Sequence, residues 1–288
     1  MKVVLFCGGL GTRLKEFSET IPKPMVDIGY RPVMWHLMRY YAHFGHKDFI
    51  LCLGHGGNAI KNYFLNYNEC MSNDFSLSNG GRDIQLFNSD IADWTITFVD
   101  TGLHSNIGQR LRAVRQHLAG EEMFMANYAD GLTDLDLTQY VDQFALQNKT
   151  AGFLCVLPPQ SFHVVSVGGD DLVTDILSAR QADLWINGGF FIFRQAIFEY
   201  IQEGEELVHE PFQRLIAAQQ LQAQRYPGFW ACMDTLKEKL MFDEMHSRGE
   251  TPWAVWDKQA GNVQPAAELE SRQPNAAPLA YRPNVRAA

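Results

Sequence analysis

No stretch of this sequence stays apolar for the ~20 residues that a membrane-spanning helix needs. Basic residues are not in excess: 24 Lys and Arg stand against 33 Asp and Glu, a formal net charge of −9. Binding nucleic acid calls for a basic face, so this balance argues against it while leaving room for a small basic pocket. Cysteine is sparse, and none of the five (Cys7, Cys52, Cys70, Cys155 and Cys232) has Cys-x-x-Cys spacing. Cys7, Cys52 and Cys155 sit in apolar runs and read as reduced core residues of a cytoplasmic protein. No secretory leader is expected, because Lys2 is followed by only five apolar residues and then glycines. No Gly-x-Ser-x-Gly elbow occurs, which leaves a hydrolase without support.

The 288 residues are 46% hydrophobic, enough for one large domain with an appendage. Strand-like apolar runs alternate with helix-like stretches. "KVVLFCGG" reads as a buried strand, residues 33–44 as a helix, "DFILCLG" as a second strand and "AIKNYFLNY" as a second helix. "TITFVDTG", "GQRLRAVRQHL" and "MFMANYADG" continue as strand, helix, strand. This order predicts an α/β fold, a three-layer α/β/α, Rossmann-like, mostly parallel sheet with its ligand at the C-terminal strand ends. Residues 68–93 are polar, carry a Gly80-Gly81 turn and read as an insertion, a hairpin or an oligomer contact. Residues 1–256 are expected to form the domain and 257–288 a disordered tail. The last thirty residues hold four prolines and no Phe, Trp, Met or Ile. His43 and His46 share a spacing that would place them on one helix face, but no acidic or cysteine partner is evident. "TPWAVWDK" at 251–258 alternates apolar and polar residues and reads as a segment lying across a neighbouring subunit.

Directly after the first strand comes "FCGGLGTRL". Gly9 and Gly11 fit the dinucleotide fingerprint G-x-G-x-x-G, but Leu14 stands where the third glycine should. A P-loop fails as well, since the loop is not closed by a Gly-Lys pair. The loop leads instead to Arg13 and then to Lys23 inside "PKPM". Pro22 and Pro24 restrict the backbone around that lysine. Glycine amides, an arginine fork and a lysine together form a cradle for several phosphates, as a triphosphate under attack at its α-phosphorus requires.

"GGLGTRL" followed by "PKPM" resembles the sugar-phosphate nucleotidyltransferase family, whose fold is glycosyltransferase-A-like. The resemblance runs over roughly residues 1–256, through "DTG" at 100–102, "YADG" at 128–131, "INGGFF" at 186–191 and "GFWACMDT" at 228–235. The last motif and the insertion before "VDTG" are most similar to the glucose-1-phosphate cytidylyltransferases. The resemblance implies attack by a sugar 1-phosphate on a nucleoside triphosphate, CTP favoured, with Mg²⁺ and loss of pyrophosphate. Catalysis would then be positioning and charge neutralisation. It implies Arg13 and Lys23 as the catalytic cations. Leu5, Gly8, Gly9, Gly11, Thr12, Gly54, Arg110 and Asp130 would surround the nucleotide. Asp130 and Asp234 would hold Mg²⁺, an ion that takes one or two carboxylates plus phosphate and water. The alternative for each aspartate is an ordinary cap or turn. For Arg110 it is a solvated arginine at a helix start, and for "GFW" at 228–230, otherwise a sugar or base platform, it is simple core. A homo-oligomer is also implied.

The sugar half departs from the family. Where a Glu-Lys-Pro usually precedes "INGGFF", this chain has "DILSARQADLW", so Ser178 falls at the lysine that grips the sugar phosphate. Arg180 is the substitute at hand, beside Asn187 and Gly188 of the sugar-phosphate site, although a fork is not a point charge on a flexible stem. Ser161 replaces an arginine and His163 a glycine. Gly56 stands where the cytidylyltransferases often have lysine, and Ala129 where Gly-Asp-Gly has its first glycine. These changes favour an acceptor other than glucose 1-phosphate, or one held differently. A regulatory homologue that binds nucleotide without turnover is the other reading, against which the retained aspartates argue.

Overall fold

The computed structural model describes residues 1–9, 21–158 and 163–257. Arg13, Gly11, Thr12 and Ser161, and the tail from residue 258, lie outside these. Strand β1 (Lys2–Phe6) is buried on both faces. Val3 and Leu5 enter one core, Val4 and Phe6 the other, as a strand covered by helices on both sides requires. After a single 3-10 turn at Lys23–Met25 and a short ladder, β2 (Asp27–Ile28) with β3 (Arg31–Pro32), comes helix α1 (Val33–His43). Nine of its eleven residues are buried, so it is a core helix rather than an amphipathic one. Gly45, with φ at +85°, turns the chain out of it. That turn separates His43, the last helical residue, from His46, so the two do not share a helix face.

Strand β4 (Asp48–Leu53) and helix α2 (Gly57–Leu65) follow as expected. The insertion forms a hairpin, β5 (Phe75–Ser78) and β6 (Asp83–Leu86), which stands apart from the main sheet. Its base is pinned by Arg31, only 1% exposed, which donates to the Asn68 carbonyl at 2.8 Å and to the Tyr63 hydroxyl at 3.2 Å and pairs with Asp90. Strand β7 (Thr95–Asp100) leads to α3 (Ile107–Ala113), whose start is fixed by a reciprocal capping box between Asn106 and Gln109. The single helix expected over 108–118 ends early. Val114 leaves helical geometry and Arg115–Leu118 forms a separate 3-10 turn.

Strands β8 (Met123–Tyr128) and β9 (Gly131–Thr133) then precede α4 (Leu137–Gln147) and β10 (Ala151–Val156). The second half is more irregular. It comprises a free hairpin, β11 (His163–Val167) with β12 (Val173–Ser178), then β13 (Ile186–Asn187) and β14 (Phe191–Arg194). Helices α5 (Ile197–Tyr200) and α6 (Glu210–Ala217), strands β15 (Leu221–Tyr226) and β16 (Trp230–Cys232), and α7 (Leu236–Ser247) complete it. The central sheet runs β13-β10-β14-β8-β1-β4-β7, with β15 also paired to β10. β1, β4, β7 and β8 are mutually parallel, as is β15 with β10, whereas β14 runs antiparallel between β8 and β10. Helices α1, α2, α4 and α7 cover one face and α3, α5 and α6 the other, giving three layers. No described helix is long and apolar enough to cross a membrane.

Within "TPWAVWDK", residues 251–257 pack at least in part into their own chain. Trp253 is fully buried against His36, Phe229 and Phe242, and Trp256 meets Trp35 and His36. An aromatic of that size gains more from burial than from exposure at an edge. His36 is neutral there, donating from one ring nitrogen to the Ile28 carbonyl (3.1 Å) and accepting from Trp253 Nε1 (3.4 Å) on the other. Burial, the largest influence, pushes its pKa down to about 4. The unfolded chain therefore takes up this proton near pH 6.5, while the folded one refuses it until about pH 4. Stability should be insensitive to His36 above pH 6.5 and fall by about 3 kcal/mol as the pH drops to 4. Urea midpoints across that range should decline less steeply in His36→Gln; parallel curves would refute the assignment.

Candidate active site

The first loop leaves β1 at the centre of the sheet, where ligands of such folds collect. A cavity of about 380 Å³ opens there, lined among others by Gly8, Gly9, Lys23, Arg110, Asp130 and Asp234. Asp130 follows β8. Asp234 reaches it because β16 pairs antiparallel with β9, placing Cys232 opposite Gly131, and the Met233 amide then donates to the Asp130 carbonyl at 3.0 Å. Lys23 comes from the other side on its 3-10 turn. Its ammonium contacts both carboxylates. Burial works against this charge, but Asp130 and Asp234 outweigh it and hold the lysine above its ordinary pKa. Three charged residues from distant segments thus meet at one point, which an isolated cap or turn would not produce.

Arg110 does not follow the solvated reading. It is 3% exposed and its guanidinium is spent on the protein itself. It donates to the Gly8 carbonyl (3.0 Å), the Leu53 carbonyl (3.0 Å) and the Thr101 hydroxyl (2.7 Å). Burial lowers its pKa. This changes the meaning of two glycines. A Cβ on Gly8 would lie 2.1 Å from Arg110 Nη1, and one on Gly54 would lie 2.8 Å from the same atom. Both are glycine because the guanidinium occupies the space. Gly9 differs: a Cβ there would meet nothing within 4 Å, so its backbone faces open cleft. Gly56 has φ at +66° and Pro22 within 2.8 Å of its hypothetical Cβ, so the lysine common elsewhere has no room.

Leu5 is a correction. It is fully buried in the core beneath the loop and does not line the cleft, whose wall is Phe6 and Cys7 instead. On the sugar side, Asn187 accepts from the Gly189 amide at 2.9 Å and bonds the Tyr128 hydroxyl, which brings it beside the cleft. Gly188 is buried, its carbonyl taking the Trp230 indole N–H at 2.9 Å. Phe229 packs on Trp253, so the "GFW" aromatics serve the core. Arg180 is exposed beyond β12, and like Asn187 and Gly188 it is not among the described residues lining this cavity. Ser178 bonds Gln181 at 2.8 Å. Among the cleft residues that the sequence did not mark as site residues are Glu206 and Tyr128. Glu206, on the loop before α6, accepts from the Ile107 amide at 3.3 Å and marks no motif. Tyr128 has its pKa pushed up to about 12, by burial first and then by Glu206 and Asp130.

Asp130 and Asp234 present oxygen donors only, from two separated segments, which suits a hard divalent ion completed by phosphate and water. Among the described residues no cluster of three or more His, Cys, Asp or Glu is arranged for a metal, so a closed structural site is not what these side chains build.

The family model of the nucleotidyl transferases matches residues 2–235. The chain is 35% identical over 258 residues to glucose-1-phosphate cytidylyltransferase of Salmonella typhimurium, covering 89% of this chain and all of that one. Its fold is similar to UTP-bound UGPase from Acinetobacter baumannii (TM-score 0.63, 17% identity, 90% of this chain and 97% of that one). It is also similar to HddC from Yersinia pseudotuberculosis complexed with GMP-PN (TM-score 0.60, 18% identity, 85% and 99%). With the cleft at the end of β1 and this match over most of its length, the chain belongs to the nucleotidyl transferase family and is a sugar-1-phosphate nucleotidyltransferase, cytidylyltransferase-like in sequence.

Proposed function

We propose that this protein transfers CMP from CTP to a sugar 1-phosphate. The observation that supports this most is the meeting of Lys23, Asp130 and Asp234 at the mouth of the central strands. A phosphate oxygen of the sugar 1-phosphate attacks the α-phosphorus, the bond between that phosphorus and the bridging oxygen breaks, and pyrophosphate leaves with the electron pair. The nucleophile is already an anion, so no side chain has to remove a proton. Lys23 neutralises charge on the reacting phosphates, with Arg13 of the first loop as its partner. Gly9 leaves its backbone open to the nucleotide, Gly11 and Thr12 would complete the phosphate loop, and Gly8 and Gly54 make room for Arg110. Asp130 and Asp234 would hold Mg²⁺, which when bound supplies a Lewis acid for the phosphate oxygens. The choice of CTP rests on the Salmonella relative.

The acceptor sits against Asn187 and Gly188. Among the described residues lining the cleft, the cations are Lys23 and Arg110, and the residue at the lysine position of the sugar site is Ser178. The acceptor is accordingly a sugar phosphate other than glucose 1-phosphate, or one gripped through hydroxyls more than through its phosphate. Residues 1–256 act as one catalytic domain, and a homo-oligomer is the working assembly. Pyrophosphate release from CTP and Mg²⁺ across a panel of sugar 1-phosphates tests the proposal. Release with one acceptor, abolished in Arg13→Ala, is expected; efficient use of glucose 1-phosphate would overturn the acceptor reading, and no release with any acceptor would overturn the activity.

A further inference from the structure

Lys23 offers one ammonium to two carboxylates that belong to the proposed metal site, and this contact has a consequence for binding order. The side chains of Lys23, Asp130 and Asp234 are only 16%, 19% and 26% exposed, so water screens them poorly. The β9–β16 ladder and the Met233 amide bond hold close together the backbones that carry the two carboxylates, which limits how far their repulsion can be relieved. A cation has to stand near both. Lys23 is placed to be that cation, its backbone held between Pro22 and Pro24 while its four-carbon stem keeps the ammonium movable. A divalent ion seeks the same carboxylate oxygens. It cannot take them while the ammonium stays, and an expelled ammonium needs a new anionic partner. A nucleoside triphosphate brings several.

We infer that Lys23 is the internal counter-ion of Asp130 and Asp234 and that it couples divalent-ion binding to triphosphate binding. The free protein then binds the ion weakly, and a polyphosphate strengthens ion binding by giving the ammonium somewhere to go. Reciprocity requires the ion to strengthen triphosphate binding by the same factor. This rests on the reading of the two aspartates as metal carboxylates.

The test is Mn²⁺ binding to the full chain, followed by electron paramagnetic resonance and calorimetry without nucleotide. Lys23→Met and Lys23→Gln should bind Mn²⁺ about ten-fold more tightly than the wild type, the size of an ordinary coupling. A CTP analogue with a methylene between its α- and β-phosphorus should then raise Mn²⁺ affinity less in these variants than in the wild type. Adding Asp130→Asn to Lys23→Met should abolish the gain. Thermal melts confirm that each variant is folded. Equal or weaker Mn²⁺ binding in both lysine variants, or a gain that survives Asp130→Asn, overturns the inference. If the wild type releases pyrophosphate but the lysine variants bind Mn²⁺ no better, the inference fails and the proposed function stands. If nothing is turned over yet the variants bind Mn²⁺ more tightly, the reverse holds.

Discussion

Asp130→Asn should lower kcat with CTP and its acceptor by about 10³-fold while leaving the melting temperature nearly unchanged. The substitution keeps the shape of the side chain and removes its charge. The fold should tolerate the change, because Lys23 keeps Asp234 as a carboxylate partner and the Asp130 backbone carbonyl, which holds the Met233 amide, is retained. In the proposed reaction, by contrast, phosphate charge gathers at this point, and each group aimed at developing charge in a sheltered site contributes more than it would in water. Asp234→Asn should follow the same pattern. Steady-state rates within about ten-fold of wild type would remove Asp130 from the machinery.

Arg110→Met should behave in the opposite way, costing roughly 4 kcal/mol of stability from three lost charge-assisted hydrogen bonds. The isosteric length of methionine limits the cavity, so most of the loss reports polar groups rather than packing. The Gly8, Leu53 and Thr101 acceptors belong to the ends of β1, β4 and β7, so the arginine binds three neighbouring strand ends together just where the nucleotide loop begins. Arg110→Lys should recover only part of the loss, because one ammonium cannot reach all three acceptors with a fork's geometry. A urea midpoint equal to wild type in Arg110→Met would show that these bonds are replaced by water at no cost.

Much of the first half of the fold is legible in the sequence because β1, β4 and β8 are buried on both faces and so appear as continuous apolar runs: "VVLF", "DFILCL", "MFMANY". The second half hides its order. β14 reverses direction between β8 and β10, and β13 is two residues long, so neither periodicity nor spacing marks them. In the site, Lys23, Asp130 and Asp234 stand in short motifs with unusual neighbours and can be found by eye. Arg110 stands in an equally visible motif, but its partners are backbone carbonyls, which carry no residue identity. Glu206 sits in an acidic loop where any of several carboxylates could have been the one turned inward. Leu5 is next to the glycine loop in sequence and beneath it in space, because a strand alternates its faces.

The contact between Lys23 and Asp234 spans 211 positions of chain, and that between His36 and Trp253 spans 217. During synthesis from the N-terminus, the loop and its lysine therefore emerge long before their partners. A nascent chain can assemble β1, β4, β7 and β8 into a parallel sheet, yet the cleft stays half built until β16 and the Trp253 segment leave the ribosome. Contacts of such separation close slowly. The cleft is therefore complete only after β16 and the Trp253 segment have been made, and a product truncated before β16 lacks Asp234, one of the residues that line it.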